Sequence, residues 1–415
     1  MRQSHAKICI FQTFSVPLRT FTQTEYLMFG IFNDNFPPVL DGVALTAKNY
    51  ADWLHRKQQD VCVVTPYAPG MVKNTPYPIY NYASVPIPMR PPYRYGLPQI
   101  DLSFRRRYSN LHFDLIHAHC PFTTGMLALK TGREQGIPVV ATFHSKYRQD
   151  FERAVSSKTL VDYAVKRIIE FYNQAFEVWI PQAAVEPTLR EYGYKGHVEV
   201  VENGNDFVTP DTLIEKIRYS MRGELGIHAD QTMMLFVGQH IWEKNIGFIL
   251  DALKLIHHLP FRLYMIGTGY AEGQIRQIIR KNKMEQKVIM LGMINDRETL
   301  RRYYAAADLF LFPSLYDNAP LVVREAAALQ TPSVMIQGST ASEIIRDNYN
   351  GFLTPNDVQL YANAIRSLME NPHLRREVGV NASKTIARSW ENVVEEVIAR
   401  YQDIQKRYKQ THKKA

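Results

Sequence analysis

From Met28 onward, short continuous apolar runs alternate with longer segments whose apolar residues recur every three or four positions. After the opening MFGIF, the runs of the first half are VCVVTP (61–66), DLIHAH (114–119), PVVATFH (138–144), EVWIPQ (177–182) and VEVVENG (198–204). Those of the second half are MMLFVG (233–238), RLYMIG (262–267), VIMLG (288–292), DLFLFPS (308–314) and PSVMI (332–336). Runs this short, rich in Val and Ile and lacking polar alternation, predict strands buried on both faces, hence parallel sheets covered by helices. The segment after Gly42 sets Val43, Ala47, Tyr50 and Leu54 on one helical face. The pattern predicts an α/β chain with two consecutive doubly wound domains, 28–208 and 209–387, with a polar separator near 205–230. Residues 388–415 read as a last helix and a basic, frayed tail. Prolines and tyrosines make 71–100 a long loop or irregular insertion. Residues 1–27 read as an N-terminal extension, because no helix follows the short run HAKICIFQTF.

The chain is 415 residues, too long for a single core. At 46% hydrophobic and 21% charged, it is neither disordered nor of low complexity. The net charge of +9 suits anionic partners such as nucleic acid, phosphate-bearing ligands or an anionic membrane, and equally a solvated basic face. No helix-turn-helix, zinc-finger or RNA-binding signature accompanies it, so nucleic acid is not an expected partner. Cys9, Cys62 and Cys120 make neither a disulfide framework nor a metal-ligand spacing, which fits a reducing compartment. No apolar run reaches the ~20 residues of a membrane span, and no signal peptide is recognisable. A cytoplasmic protein is expected, with any membrane contact peripheral.

The stretch SLYDNAPLVVREAAAL (314–329) sets Asp317 eight residues before Glu325, across a strand-to-helix turn. The helix is expected to start near Asn318–Pro320, since proline suits a first turn. Free N–H groups there make an anion site. Asp317 could accept hydrogen bonds from sugar hydroxyls and Glu325 could reach a ribose diol; equally, they could be a helix cap and an exposed helical acid. In VGQHIWEKNIGF (237–248), Lys244 could contact a diphosphate with Glu243 in support, or be a surface lysine. In HAHCP (117–121), a histidine at the strand end could hydrogen-bond a sugar hydroxyl or take its proton. His117 and His119 are expected to alternate, so that one at most faces the cleft. Two histidines without a third ligand make a weak metal site, and a structural role is the plain alternative. Gly42, in FPPVLDGV, permits close ligand approach at a helix N-terminus, or serves a tight turn. The glycine-bearing IGTGYAEG and VENGND say little alone.

In this order DGV, HAHCP, ATFH, VENGND, VGQHIWEKN, IGTG, LFPSLYD and REAAAL resemble the family 4 retaining glycosyltransferases of the GT-B fold, over about residues 28–405. The resemblance implies two Rossmann-like domains facing across a cleft, with a UDP- or GDP-linked sugar held mainly by the second. The Asp317–Glu325 pair looks like the family's Glu-x7-Glu motif with Asp in the first place. By that match Asp317 would bind the transferred sugar, Glu325 the ribose and Lys244 the diphosphate. His119 would meet the sugar near the reacting carbon and Gly42 the phosphates or the acceptor. Gly238, Asn318 and Leu321 would complete the donor-binding set. The segment SWENVVEEV would cross back to the first domain. No cofactor or metal is implied, and no Asp-x-Asp triplet is present to hold one. The leaving diphosphate would help deprotonate the acceptor on the front face.

Three positions depart from the family: Gln239 where Arg is common, Ala319-Pro320-Leu321 where Phe-Gly-Leu is usual, and Asp317 for Glu. Pro320 also lacks a backbone donor. In the first half PPYRYG, FRRRYSN and FHSKYRQDFERAV carry basic and aromatic residues that suit an anionic lipid interface, as in relatives that glycosylate diacylglycerol. An ordinary basic surface around a soluble acceptor is the alternative. Two readings follow: an active hexosyltransferase, or a catalytically silent GT-B protein that partners an active one. Gln239 and Pro320 favour the second; Lys244, Glu325 and His119 favour the first.

Overall fold

A computed structural model describes residues 28–39, 41–71, 74–88 and 92–412. The expected extension, 1–27, lies outside the described residues. The first sheet has seven parallel strands: β1 (Met28–Phe32), β2 (Asp60–Pro66), β3 (Ile79–Tyr82), β6 (Leu115–Ala118), β7 (Val139–Thr142), β8 (Glu177–Ile180) and β9 (Val198–Val200). Their order is β3-β2-β1-β6-β7-β8-β9. Strands β4 (Ser84–Pro86) and β5 (Arg94–Gly96) form a separate antiparallel hairpin. The second sheet has six parallel strands: β10 (Thr232–Val237), β11 (Phe261–Ile266), β12 (Val288–Gly292), β13 (Leu309–Phe312), β14 (Ser333–Ile336) and β15 (Phe352–Thr354). Their order is β12-β11-β10-β13-β14-β15.

The strands read as unbroken apolar runs because both faces are covered. In the first sheet Phe29, Ile31, Val61, Val63 and Leu115 face one core, and Phe32, Cys62, Val64, Ile116 and Ala118 face another. The first of these cores takes the helix Gly42–Arg56 and, from the far end of the chain, Trp390, Val393, Val394, Val397, Tyr401 and Ile404. These belong to the helix Trp390–His412. The two chain crossings between the sheets run side by side: Asn205 N–H donates to Arg388 O (2.8 Å) and Trp390 N–H to Asn205 O (3.3 Å).

The structure refines three expectations. Region 71–100, expected as a long loop or irregular insertion, holds the edge strand β3 and the separate β4–β5 hairpin among its described residues. Tyr82 at the end of β3 is buried, its hydroxyl 2.5 Å from Thr124 Oγ1. Short edge strands flanked by proline carry little apolar signal. The polar separator near 205–230 contains the helix Asp211–Glu224, which buries Ile214 and Met221 in the second core. The helix after β13 runs Leu321–Ala328 with Pro320 as its N-cap (φ −68°, ψ 125°), at the end of the expected start near Asn318–Pro320.

In each sheet the strand order reverses direction beside its first strand, between β1 and β6 and between β10 and β13. Ligands of open parallel sheets bind at the carboxyl ends beside such a reversal. The segments leaving those four strands carry Gly42, the first residue of its helix, and His119, Lys244 and Asp317.

Candidate active site

The loop after β13 joins two of the predicted residues. Lys244 Nζ lies 2.5 Å from Asp317 Oδ1, and Ser314 Oγ donates to Asp317 Oδ2 at 2.6 Å. Both partners of the pair are largely shielded from solvent. The same loop is stitched to the first domain. Asn318 Nδ2 donates to His144 O (2.8 Å), Asn203 Nδ2 to Ala319 O (3.3 Å) and Lys146 Nζ to Leu315 O (3.2 Å). Tyr316 O–H donates to Asp150 (2.7 Å), and the Arg153 guanidinium lies 4.7 Å from the Tyr316 ring centre. The Asn318 amide oxygen is buried without a partner. Leu321 packs against the first-domain core that takes the last helix.

Lys244 is carried by a loop that needs glycine beneath it. A Cβ on Gly267 (φ +132°) would lie 2.0 Å from Gly238 O. The two loops instead run in contact, with Gly238 N–H on Ile266 O (3.0 Å) and His240 N–H on Thr268 O (2.9 Å). IGTG, uninformative in sequence, is what lets the lysine loop cross the sheet end. The constraint falls on Gly267; a Cβ on Gly238 would meet only the Phe236 ring, at 3.4 Å. At Gly42 a Cβ would meet nothing within 4 Å, so space is open there. Asp41 caps that helix by accepting from Ala44 N–H (2.7 Å). The Tyr93 hydroxyl is near both Asp41 and Gln239.

His117 and His119 do not alternate. Two residues is one full strand period, so their rings share a face and stack 4.1 Å apart at 27°. His117 is structural: its nitrogens lie 2.6 Å from Tyr401 O–H and 2.6 Å from Thr142 Oγ1. His119 Nδ1 lies 3.1 Å from His144 Nε2, and its own Nε2 is buried without a partner. Burial, reinforced by the neighbouring rings, pushes the His119 pKa well below the usual imidazole range, and burial takes His144 to about 3. Neutral at pH 7, His119 can offer a hydrogen bond but is a poor proton acceptor. Among the described residues, no group of three or more His, Cys, Asp or Glu is placed to hold a metal ion.

Glu325 is 5% exposed and already engaged. Arg297 donates to Oε1 (2.8 Å) and the buried Tyr304 O–H to Oε2 (2.9 Å). Arg297 also reaches Asp206 (3.3 Å) and lies over the Phe207 ring (4.1 Å). A carboxylate has about four acceptor positions, so two such bonds leave capacity for a diol. Sequence reading missed His144, Lys146, Tyr93, Arg297 and Tyr304 as site residues. His144 sits at a strand end like His119 and could have been found that way; Arg297 carries no local signal.

Residues 40–207 match the family described as Glycosyltransferase Family 4, and residues 218–385 the family described as Glycosyl transferases group 1. An alpha-monoglucosyldiacylglycerol synthase of Streptococcus pneumoniae is 25% identical over 357 residues, 84% of this chain and 80% of that protein. One from Acholeplasma laidlawii is 24% identical over 370 residues, 86% and 92%. Among solved structures, HepE of Anabaena in complex with UDP and glucose superposes with a TM-score of 0.71 at 19% identity, over 91% of this chain and 99% of that one. Sucrose-phosphate synthase of Thermosynechococcus elongatus gives 0.73 at 19%, with the same coverages.

Proposed function

The chain belongs to the family 4 glycosyltransferases of the GT-B fold, and from that premise we propose that it moves a hexose from a UDP- or GDP-sugar to an acceptor hydroxyl with retention of configuration. The observation that carries this reading is the Lys244–Asp317 pair at the carboxyl ends of β10 and β13, where the second domain meets the first. Donor binding would release Lys244 onto the diphosphate, whose developing charge it stabilises together with N–H groups of the helix from Leu321. Asp317, freed in turn, accepts from sugar hydroxyls, and Glu325 takes the ribose diol. His119 Nε2 supplies a hydrogen bond to the sugar near the reacting carbon. With His119 and His144 held neutral, neither suits the role of general base. The bond from C1 to the diphosphate oxygen breaks, C1 bonds the acceptor oxygen on the same face, and the acceptor proton passes to the leaving phosphate. Neither a metal nor a cofactor is needed for that step.

The acceptor proposed is a membrane glycolipid or diacylglycerol. Support comes from the relatives' names and from one patch of the first domain. The helix Leu102–Tyr108 exposes Arg105, Arg106 and Arg107 beside Ile100 (69% exposed) and Leu102 (74%). Apolar side chains beside arginines suit peripheral contact with an anionic membrane, on its cytoplasmic side. Among the described residues, no helix is long and apolar enough to cross a membrane.

The test is a thermal-shift panel of UDP, GDP, ADP and their sugars on the full chain and on Lys244→Ala. A ligand that binds only the native state raises the melting temperature, by about 2.7 kcal/mol of stability at a hundredfold excess over its Kd. We expect one nucleotide to raise it in the wild type and far less in the variant. No shift with any nucleotide would favour the silent-partner reading instead.

A further inference from the structure

At the junction of the two domains, the charged side chains around Tyr316 and Asp317 are paired, with one exception. Lys244 has Asp317 (2.5 Å). Arg153 has Glu243 (3.3 Å), Asp150 (3.6 Å) and the Tyr316 ring. Lys146 is the exception: among the described residues no carboxylate lies within ion-pair distance of it, and its Nζ is held by the Leu315 carbonyl. It is partly buried; burial lowers its pKa, and the field of Asp317 draws it back up. Partly buried cations are ordinarily paired, because desolvating an ammonium is costly unless an anion compensates.

The placement of this unpaired charge is specific. Lys146 comes from the loop after β7 in the first domain, and Lys244 from the loop after β10 in the second. They reach the Ser314–Asn318 loop from opposite sides of the cleft. Of these two ammonium groups only Lys244 is within ion-pair distance of Asp317, just before the helix that starts at Leu321, and Lys146 is left with a carbonyl partner. Position 239, in the same loop as Lys244, holds an uncharged Gln near the Tyr93 hydroxyl.

Resting on the donor reading above, we propose that Lys146 is a second diphosphate-binding cation, contributed across the cleft by the first domain, in place of a cation at position 239. The diphosphate then bridges Lys244 and Lys146, so donor binding draws the domains together and loss of the diphosphate relaxes them. A phosphate on the acceptor is the other source of the same chemistry.

Titration calorimetry on the full chain separates these. The probes are UDP, inorganic pyrophosphate and glycerol 3-phosphate; the proteins are wild type, Lys146→Met and Lys146→Arg. One charge-assisted hydrogen bond corresponds to roughly a tenfold change in affinity. Lys146→Met should weaken UDP and pyrophosphate by about that factor, and Lys146→Arg should restore most of it, which a folding defect would not allow. If Lys146→Met binds UDP and pyrophosphate as the wild type does, the assignment falls while the donor reading stands. A loss confined to glycerol 3-phosphate also overturns it and puts Lys146 at the acceptor. If the wild type binds pyrophosphate through Lys146 but no nucleotide, the assignment survives and the donor reading fails. Wild type that binds none of the three probes overturns both.

Discussion

Changing Tyr304 to Phe removes a single hydrogen bond, from a buried phenol to Glu325. A hydrogen bond to a charged group contributes about 1.5–3 kcal/mol, and Glu325 keeps Arg297. Changing Glu325 to Leu instead strands the phenol, at about 1–3 kcal/mol for a buried unpartnered donor. It also removes Arg297's nearer carboxylate. That second loss is small, because Arg297 is 40% exposed and retains Asp206 at 3.3 Å; exposed pairs contribute about 0–1 kcal/mol. Glu325→Leu should therefore cost roughly 3 kcal/mol, or about 6–12 °C of melting temperature for a domain of this size. The double variant has neither the donor nor the acceptor, so the phenol's penalty disappears. It should be more stable than the sum of the singles by about 1–2 kcal/mol. The assay is the thermal midpoint of wild type, both singles and the double, each with and without UDP. Tyr304→Phe should keep a UDP-induced rise and Glu325→Leu should lose it. Strict additivity, or a Glu325→Leu protein that melts with the wild type, would refute the placement of Glu325 in this buried network.

Three more outcomes are expected. Lys244→Ala should lower kcat/KM for sugar transfer by about a hundredfold or more, the scale of one lost transition-state charge contact, read in a donor-consumption assay. Ile404→Ala removes a fully buried side chain from the core shared by the last helix and β1; it should cost about 2–5 kcal/mol, read as a lower thermal midpoint. His117 and His119 have folded pKa values well below the imidazole's ordinary 6.5. Below pH 6.5 the unfolded chain therefore binds more protons than the folded one. Stability is whole above 6.5 and falls as the pH drops, by about 1.4 kcal/mol per pH unit for each histidine that stays neutral. Urea midpoints at pH 7, 6 and 5 measure this, and His117→Asn should flatten the slope.

Much of the architecture was legible along the chain for one reason. A strand covered on both faces is apolar at most positions, so β1, β2, β6, β7, β8, β10, β11, β13 and β14 announce themselves as runs, and the edge strand β12 happens to share the pattern. Edge strands have no such obligation. The four-residue β3 and the three-residue β15 hide among prolines, tyrosines and polar residues, and the long loop or irregular insertion expected over 71–100 was the result. The reversal of strand order, which gathers four loops at one cleft, appears only in the sheet.

Within the site, the residues contributed by strand ends were readable and their partners were not. Lys244 and Asp317 were marked by loop position and residue type, but their 2.5 Å pairing spans 73 residues. His119 was marked, and the shared face with His117 follows from strand period alone; its contact with His144 needed β7 beside β6. Glu325 read as an exposed helical acid or a free ribose ligand, because Arg297 and Tyr304, 28 and 21 residues upstream, reach it only after the helix from Arg297 to Ala306 packs against it. What the sequence determines by itself is local: burial periodicity, turn chemistry, and which side chains carry charge at strand ends. What only tertiary structure decides is pairing, because an ion pair or a stacked ring depends on distances of a few ångströms between segments whose separation along the chain carries no such information.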